Sequence, residues 1–367
     1  MEVVFCTSGI FPESIGGIQR HSRLLIEALT AFNDIKLTVI HPHSKLQFTH
    51  LPAVNEIQIP FNHHAGYYLY NCYLYSQLVY EQLKNKPNAI IYSQGLCIWH
   101  KAHVFKNRLV FNPHGLEPFQ ALNKSDNYKL WPFRFVLKKV FKNCTYVVSL
   151  GGKLTKILEH AGVKSDKIIE LPNATIVPNE IPLKQKGSPF TFLFVGRFAY
   201  NKGIDVLLQA ISLLDKTQAA QTNFILVGTG PLYQQLKSKY ALSNVQYVGF
   251  ADDNALASYY KQSQAFVLPT LFEGMPTVVL EAMARALPVI VTDVGATVML
   301  VDESNGYLIE KNNLNQLKEA LIKMTSLSDE AYDKLSKQSF EKVKTNFSWQ
   351  AVAQQHYSLF TSLNSQL

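Results

Sequence analysis

The sequence predicts an α/β protein made of two Rossmann-like, doubly wound domains in tandem. Three observations lead there. Short β-branched runs alternate with longer stretches of helical period from the first residues onward. The alternation breaks at 173–189, Asn-Ala-Thr-Ile-Val-Pro-Asn-Glu-Ile-Pro-Leu-Lys-Gln-Lys-Gly-Ser-Pro, which holds three prolines and no usable periodicity, and then restarts. Finally, 367 residues suffice for two cores at about 100–200 residues per domain.

In chain order, strand 3–7, helix 17–32 and strand 37–40 read as β-α-β, which implies parallel strands. Apolar runs at 56–60, 89–93, 109–112 and 146–150 extend that sheet. After the linker come strand 191–196, helix 202–214, strand 224–228, helix 232–242, strand 245–248, helix 254–263, strand 265–269, helix 277–287 and strand 289–292. Helical patterns close the chain, the last beginning at Ser348-Trp349. The boundaries are therefore an N-terminal domain over 1–172, a linker over 173–189, a second domain over 190–345, and a C-terminal helix, 346–367, expected to pack back on the first domain. In such sheets ligands bind beyond the carboxyl ends of the strands, in a cleft between the two domains.

Composition narrows the function classes. With 47% hydrophobic and 17% charged residues the chain is a packed globular protein, not a disordered one. Cys6, Cys72, Cys97 and Cys144 form no C-x-x-C pair, which argues against a zinc knuckle or a disulfide framework and fits a reducing cytosol. No run of about 18 apolar residues occurs, and no basic leader precedes the first strand, so a cytoplasmic protein is expected. The net charge of +8 is uneven: residues 1–185 carry 20 Lys/Arg and 12 Asp/Glu, and residues 186–367 carry 15 of each. Ten of the eleven histidines also lie in the first half. The basic half suits an anionic substrate or membrane surface. No nucleic-acid-binding motif accompanies the charge.

Three constellations could carry chemistry. In Leu271-Phe272-Glu273-Gly274-Met275-Pro276-Thr277-Val278-Val279-Leu280-Glu281, two glutamates flank a loop-to-helix junction. Gly274 and Met275 would offer backbone N–H groups at a helix start, a natural anion site. Glu281 stands in an otherwise apolar helix and needs a partner, for which a ligand hydroxyl would serve. In Gly196-Arg197-Phe198-Ala199-Tyr200-Asn201-Lys202-Gly203, two cations flank a turn after a strand and could clamp a diphosphate. The pair Gly16-Gly17 follows the first strand and lets backbone approach a phosphate, but it lacks the dinucleotide fingerprint G-x-G-x-x-G. Gly228-Thr229-Gly230-Pro231 reads as an ordinary turn.

Taken together, Gly-Arg-x4-Lys-Gly, Val-Gly-Thr-Gly-Pro, and Glu-x7-Glu followed by Leu-Pro-Val-Ile-Val resemble the retaining glycosyltransferases of family 4, which have the GT-B fold of two Rossmann-like domains facing each other across a cleft. The resemblance spans nearly the whole chain and is most specific over 194–306. It implies Arg197 and Lys202 on the donor diphosphate, Glu281 on the ribose hydroxyls, Glu273 on the donor sugar, Gly274, Met275 and Pro276 as the backbone cradle, and Thr277 among the donor-binding residues. It places Tyr247, Val248, Gly249 and Phe250 at the nucleobase, and Gly16 and Gly17 near the phosphates. His114 matches the family's interdomain histidine; it is either a partner of the donor sugar or a satisfied loop histidine. Three departures stand out. Thr270 and Ala286 replace Ser and Gly and are mild changes. The family's Gly-Gly-x-x-Glu appears as Gly295-Ala296-Thr297-Val298-Met299, so no role is carried onto Met299.

The implied reaction moves a hexose from a nucleotide-diphosphate sugar, UDP-linked first and GDP-mannose second, to a glycan or lipid-linked acceptor of cell-surface polysaccharide or lipopolysaccharide. No D-x-D triplet occurs, so metal-independent transfer is expected, with cations and helix dipoles stabilising the leaving group and no cofactor besides the donor. The alternatives are a nucleotide-sugar epimerase, a phosphorylase, or a non-catalytic sugar-binding protein. Tyr128 to Lys142 mixes aromatics with five cations and no acid, as would either a helix lying on anionic lipid or a domain helix with a solvated basic face. Tyr67 to Tyr80 holds six tyrosines and reads as a core helix or part of an acceptor channel, and His63-His64 as an exposed loop or an acceptor contact.

Overall fold

The computed structural model describes residues 1–61, 66–120 and 128–367, so His63 and His64 lie outside the described residues. The chain divides into two compact units, Met1–Asn173 with Trp349–Leu367, and Ala174–Ser348.

In the first unit, strands β1 (Glu2–Cys6), β2 (Lys36–His41), β3 (Val54–Gln58), β4 (Ile90–Gln94), β5 (Leu109–Asn112), β6 (Tyr146–Ser149) and β7 (Ile168–Glu170) form one parallel sheet in the order β3-β2-β1-β4-β5-β6-β7. Helices α1 (Gly17–Leu29), α2 (Tyr68–Leu83), α3 (Trp131–Lys142) and α4 (Lys153–His160) connect them. The second unit repeats the plan. Strands β8 (Phe190–Val195), β9 (Thr222–Val227), β10 (Val245–Gly249), β11 (Ala265–Leu268), β12 (Val289–Thr292) and β13 (Gly306–Ile309) run parallel in the order β10-β9-β8-β11-β12-β13. Its helices are α5 (Ile204–Ser212), α6 (Lys216–Ala220), α7 (Tyr233–Lys239), α8 (Asp253–Gln262), α9 (Thr277–Met283), α10 (Thr297–Leu300), α11 (Leu314–Thr325) and α12 (Asp329–Asn346). Both orders are those of doubly wound sheets, whose winding reverses between β1 and β4 and between β8 and β11.

The central strands are buried on both faces, as parallel strands covered by helices must be, and so they read as continuous apolar runs. The edge strands do not. β7 has three residues and β13 opens on a glycine, and the periodicity announces neither; Gly306 is required because a Cβ there would sit 2.0 Å from the Val289 carbonyl oxygen.

The final helix, α13 (Trp349–Asn364), belongs to the first unit. Its Ala353, Phe360 and Leu363 share a core with Leu25, Ile26, Leu29 and Tyr92, and Tyr357 stacks on Phe32 with centroids 4.3 Å apart. The proline-rich stretch is pinned to the second unit. Thr175 N–H donates to the Phe347 carbonyl at 2.9 Å. The Lys184 ammonium donates to the carbonyls of Tyr260, Lys261 and Ser263 at 2.6, 2.8 and 2.8 Å, capping the end of α8.

Gly203, between β8 and α5, has φ +64, and a Cβ there would lie 1.9 Å from the Pro269 carbonyl oxygen. Gly203→Ala should therefore destabilise the second unit by roughly 2 kcal/mol or more, strain and clash together. An unchanged urea midpoint for that unit's transition would refute the close approach.

Candidate functional site

The winding reversal between β8 and β11 selects where a ligand can enter the second unit, and the loops leaving these two strands carry the predicted residues. After β8 the chain runs through Gly196 and Arg197 into a single 3-10 turn at Tyr200–Lys202, then Gly203, then α5. Lys202 thus lies in a turn before the helix, not at a helix start as the sequence suggested; the left-handed Gly203 separates the two. After β11 the chain runs from Pro269 to Pro276 and enters α9.

Cross-ties fasten these loops together. Asn201 C=O accepts from Leu271 N–H at 2.8 Å and lies 2.7 Å from Thr270 Oγ1. Lys202 Nζ reaches Glu273 Oε1 at 2.5 Å, an ion pair in which both side chains are mostly covered. The loops after β9 and β12 close in from either side. Gly228 backs onto the Gly196 carbonyl, where a Cβ would be 1.9 Å away, and Phe198 N–H donates to the Thr229 carbonyl at 2.9 Å. Gly295 backs onto the Glu273 and Gly274 carbonyls, and Ala296 N–H donates to the Gly274 carbonyl at 2.9 Å. The Gly228 to Pro231 turn is therefore part of the site's frame, which its ordinary appearance in the sequence concealed.

The structure brings Lys202, Glu273 and Gly274 together and leaves the Arg197 side chain exposed beside them, without a hydrogen bond or ion pair of its own among the described residues. Met275 and Pro276 are buried, and Thr277 opens α9. Glu281 is half-buried, and the expected need for a partner is met within the protein: Tyr260 Oη on α8 donates to Glu281 Oε2 at 3.1 Å. Burial together with the neighbouring carboxylate raises the Tyr260 hydroxyl well above the usual tyrosine range, so it stays a donor. Sequence reading missed Tyr260 because it comes from a different helix. Val248 and Tyr247 end β10 half-buried, with the Tyr247 ring near Tyr233 and Phe198 at 6.2 and 6.4 Å, and Phe250 beyond them is exposed. Val298 and Met299 are partly exposed on α10. Ala286, a departure read as mild, adopts φ +57, the left-handed region that favours glycine; Ser336 and Ser339 on α12 hold this turn by donating to the Ala286 and Leu287 carbonyls, both at 2.7 Å.

In the first unit Gly16 and Gly17 precede and open α1, which has no side-chain cap and no acid in its first turn. A Cβ on Gly17 would meet no atom of the described residues within 4 Å, whereas one on Gly16 would lie 2.2 Å from Gln19 Oε1. His114 follows β5 and is buried. His21, on α1 and not singled out from the sequence, meets it edge-on with centroids 4.8 Å apart, and Trp349 packs on His21 at 5.3 Å. His114 Nε2, His21 Nε2 and Gln94 Nε2 are buried with no hydrogen-bond partner among the described residues. Unpaired buried polar atoms are costly, and a ligand or water that bonded them would be favoured. Among the described residues no three His, Cys, Asp or Glu side chains converge as a metal site.

With the geometry in place, two family models match: "Glycosyltransferase Family 4" over residues 15–175 and "Glycosyl transferases group 1" over 189–326. The chain belongs to the family 4 glycosyltransferases. Its fold is GT-B, two Rossmann-like units in one chain. An uncharacterised glycosyltransferase of Methanocaldococcus jannaschii is 32% identical over 212 residues, 52% of this chain and 58% of that protein. A UDP-Gal:alpha-D-GlcNAc-diphosphoundecaprenol alpha-1,3-galactosyltransferase of Escherichia coli is 29% identical over 199 residues, 49% of this chain and 50% of that protein. The chain thus spans about half the length of the curated relatives it matches. Among solved structures, sucrose-phosphate synthase of Thermosynechococcus elongatus superimposes over 100% of both chains with a TM-score of 0.80 at 20% identity. HepE of Anabaena in complex with UDP-glucose covers 99% of this chain and 100% of its own, with a TM-score of 0.70 at 16% identity.

The buried imidazoles predict how this family 4 chain responds to acid. Burial lowers His114 to about 3 and His356 to about 4, and lowers His21 well below the usual range; His41 and His43 shift the same way. Each binds its proton more weakly folded than unfolded. Their contribution to stability is therefore complete above about pH 6.5 and is lost as pH falls toward 4, at about 1.4 kcal/mol per pH unit for each fully buried ring. The first unit's melting midpoint should drop steeply between pH 6.5 and 4.5. A midpoint flat over that range would contradict the burial.

Proposed function

We propose that the chain transfers a hexose, with retention of configuration and without a metal, from a UDP-sugar to a glycan or lipid-linked acceptor in cell-surface polysaccharide or lipopolysaccharide synthesis, GDP-mannose being the second choice of donor. The observation that carries this reading is the set of cross-ties at the β8/β11 reversal, where Lys202 and Glu273 meet beside the exposed Arg197. The names of the relatives support the UDP donor and the polyprenol-linked acceptor.

In this reading Arg197 and Lys202 bind the diphosphate, with Gly274, Met275 and Thr277 turning backbone N–H groups toward it and Pro276 shaping the cradle. Glu281, oriented by Tyr260, accepts from the ribose hydroxyls. Val248 and its neighbours flank the base. Glu273 orients the donor sugar, and its bond to Lys202 holds the carboxylate against the cation that meets the leaving group. In the first unit, Gly16 and Gly17 let backbone approach phosphate, and His114 Nε2, unpaired among the described residues, bonds a sugar hydroxyl. The acceptor oxygen forms the new bond to the anomeric carbon as the carbon–oxygen bond to the diphosphate breaks. The acceptor proton passes to the departing phosphate oxygen, and the cations stabilise the charge.

A thermal-shift panel of UDP, GDP and ADP, with and without EDTA, tests donor and metal together. UDP should stabilise the protein equally in EDTA, and Glu281→Ala should weaken it about 10- to 100-fold by removing a charge-assisted hydrogen-bond acceptor. A response to no nucleotide would sink the assignment, whereas binding without sugar transfer would leave a non-catalytic sugar-binding protein.

The membrane partner in this proposal rests on one surface of the first unit. The apolar face of α3, Val136, Leu137, Val140 and Phe141, is spent on the core, so the helix does not lay that face on lipid. Tyr128, Trp131 and Phe135 still point outward with Lys129, Lys138, Lys139 and Lys142. Tyr68, at the start of α2, stacks on Phe133 at 5.8 Å and brings the exposed Tyr67 and Tyr70 alongside, while Tyr75 of the same helix is core. No helix among the described residues is long and apolar enough to cross a membrane. Phosphatidylglycerol vesicles should sediment the protein at low salt, and Lys138→Ala with Lys139→Ala should weaken this roughly 10- to 30-fold, at about 1 kcal/mol per cation. Equal binding to neutral vesicles would argue against the basic face.

A further inference from the structure

A single hydrogen-bonded line runs from the C-terminal helix to the backbone of His114. On α13, His356 Nδ1 lies 2.8 Å from the Val352 carbonyl oxygen, and its Nε2 lies 3.0 Å from Tyr92 Oη on β4. Asn112 Nδ2, at the end of β5, donates to Tyr92 Oη at 2.9 Å, and His114 N–H donates to Asn112 Oδ1 at 2.9 Å. All four residues are buried.

The direction of every bond follows from one end. A carbonyl only accepts, so His356 carries its proton on Nδ1. Burial keeps the ring neutral, so Nε2 accepts and the Tyr92 hydroxyl donates to it. The phenol oxygen is then left to accept from the Asn112 amide nitrogen, which turns the amide oxygen toward His114. A second proton on His356 would leave the Tyr92 hydroxyl hydrogen without an acceptor.

The far end of this line is a backbone that needs holding. Gly115 N–H donates to the Pro113 carbonyl at 2.7 Å, a three-residue turn with His114 at its apex at φ +60. That is the strained hand of such a turn, and a non-glycine residue persists there only when its surroundings over-determine it. The same helix also reaches the imidazole, since Trp349 packs on His21 and His21 on His114.

We infer that Tyr92, Asn112 and His356 are positioning residues for His114: the C-terminal helix, through this line, fixes the turn that aims the His114 imidazole at the donor sugar. The inference rests on the sugar-facing reading of His114 given above. It adds that residues which touch no substrate, His356 on the C-terminal helix among them, set the rate through it.

The test is a mutant cycle on the full chain. Tyr92→Phe deletes one oxygen and keeps the ring packed on Phe5 and Phe360. UDP release from UDP-glucose should show kcat about tenfold lower in Tyr92→Phe and His356→Leu, with KM changed less than about threefold. His356→Gln, whose amide oxygen accepts from Tyr92, should recover most of the rate. In a His114→Ala background Tyr92→Phe should cost nothing further. An equal loss in both backgrounds marks a merely structural role and overturns the inference, as does an unchanged kcat in the otherwise native chain. If His114→Ala is itself silent while Glu281→Ala abolishes turnover, the reading of His114 fails and the inference falls with it. If His114→Ala is crippling and Tyr92→Phe is silent, the inference alone fails. Amide hydrogen exchange reads the line with no substrate: at His114 it should be about tenfold faster in Tyr92→Phe, with Val110 unchanged, and equal rates at His114 overturn the proposal.

Discussion

The carbonyl oxygen of Pro269 occupies the place where a side chain at position 203 would begin, and the rest of the second unit's site depends on that approach. It is possible because β8 and β11 are neighbours at the point where the sheet's winding reverses, so the loops leaving them diverge to opposite faces and leave a crevice at their roots. With Gly203 seated on Pro269, Asn201 can bond Leu271 and Lys202 can reach Glu273. Gly228 and Gly295 repeat the device on either side, each replacing a side chain with a neighbouring loop's carbonyl. A rigid frame of four loops results, and the groups proposed to meet the donor stand on it already oriented.

The first unit uses a different constraint, the burial of neutral imidazoles. His21, His114 and His356 arrive from α1, the loop after β5 and α13, and share one interior region. Their hydrogen bonds are satisfied on one side and open on the other: His356 is bonded at both nitrogens, whereas His114 and His21 each keep one unpaired among the described residues. Ten histidines lie in the first half of the sequence, and the eleventh, His356, returns to the same unit through the final helix.

Much of the fold was legible in the sequence, and the reasons are local. Central parallel strands are buried on both faces, so they appear as apolar runs whose composition suffices to place them. Edge strands β7 and β13 are short and half-exposed, with nothing to set them apart from loop. The proline-rich stretch lacks periodicity and so reads as slack chain, yet Lys184 binds three carbonyls at the end of α8 and holds it to the second unit. The aromatic-basic helix α3 divides between the alternatives the sequence left open, because one face is core and the other presents cations and rings.

The sequence by itself determined the two Rossmann-like units, the family, and the short motifs in which Arg197, Lys202, Glu273 and Glu281 stand, since each depends on residues within a few positions of one another. Only the tertiary structure decided which of these groups meet. Lys202 and Glu273 are 71 residues apart, and Tyr92 and His356 are 264 apart. Contacts at such separation follow from strand order and helix return, which no local period encodes. The same holds for the glycines at 203, 228 and 295: their identity is plain in the sequence, but the carbonyl that excludes a side chain from each belongs to another loop.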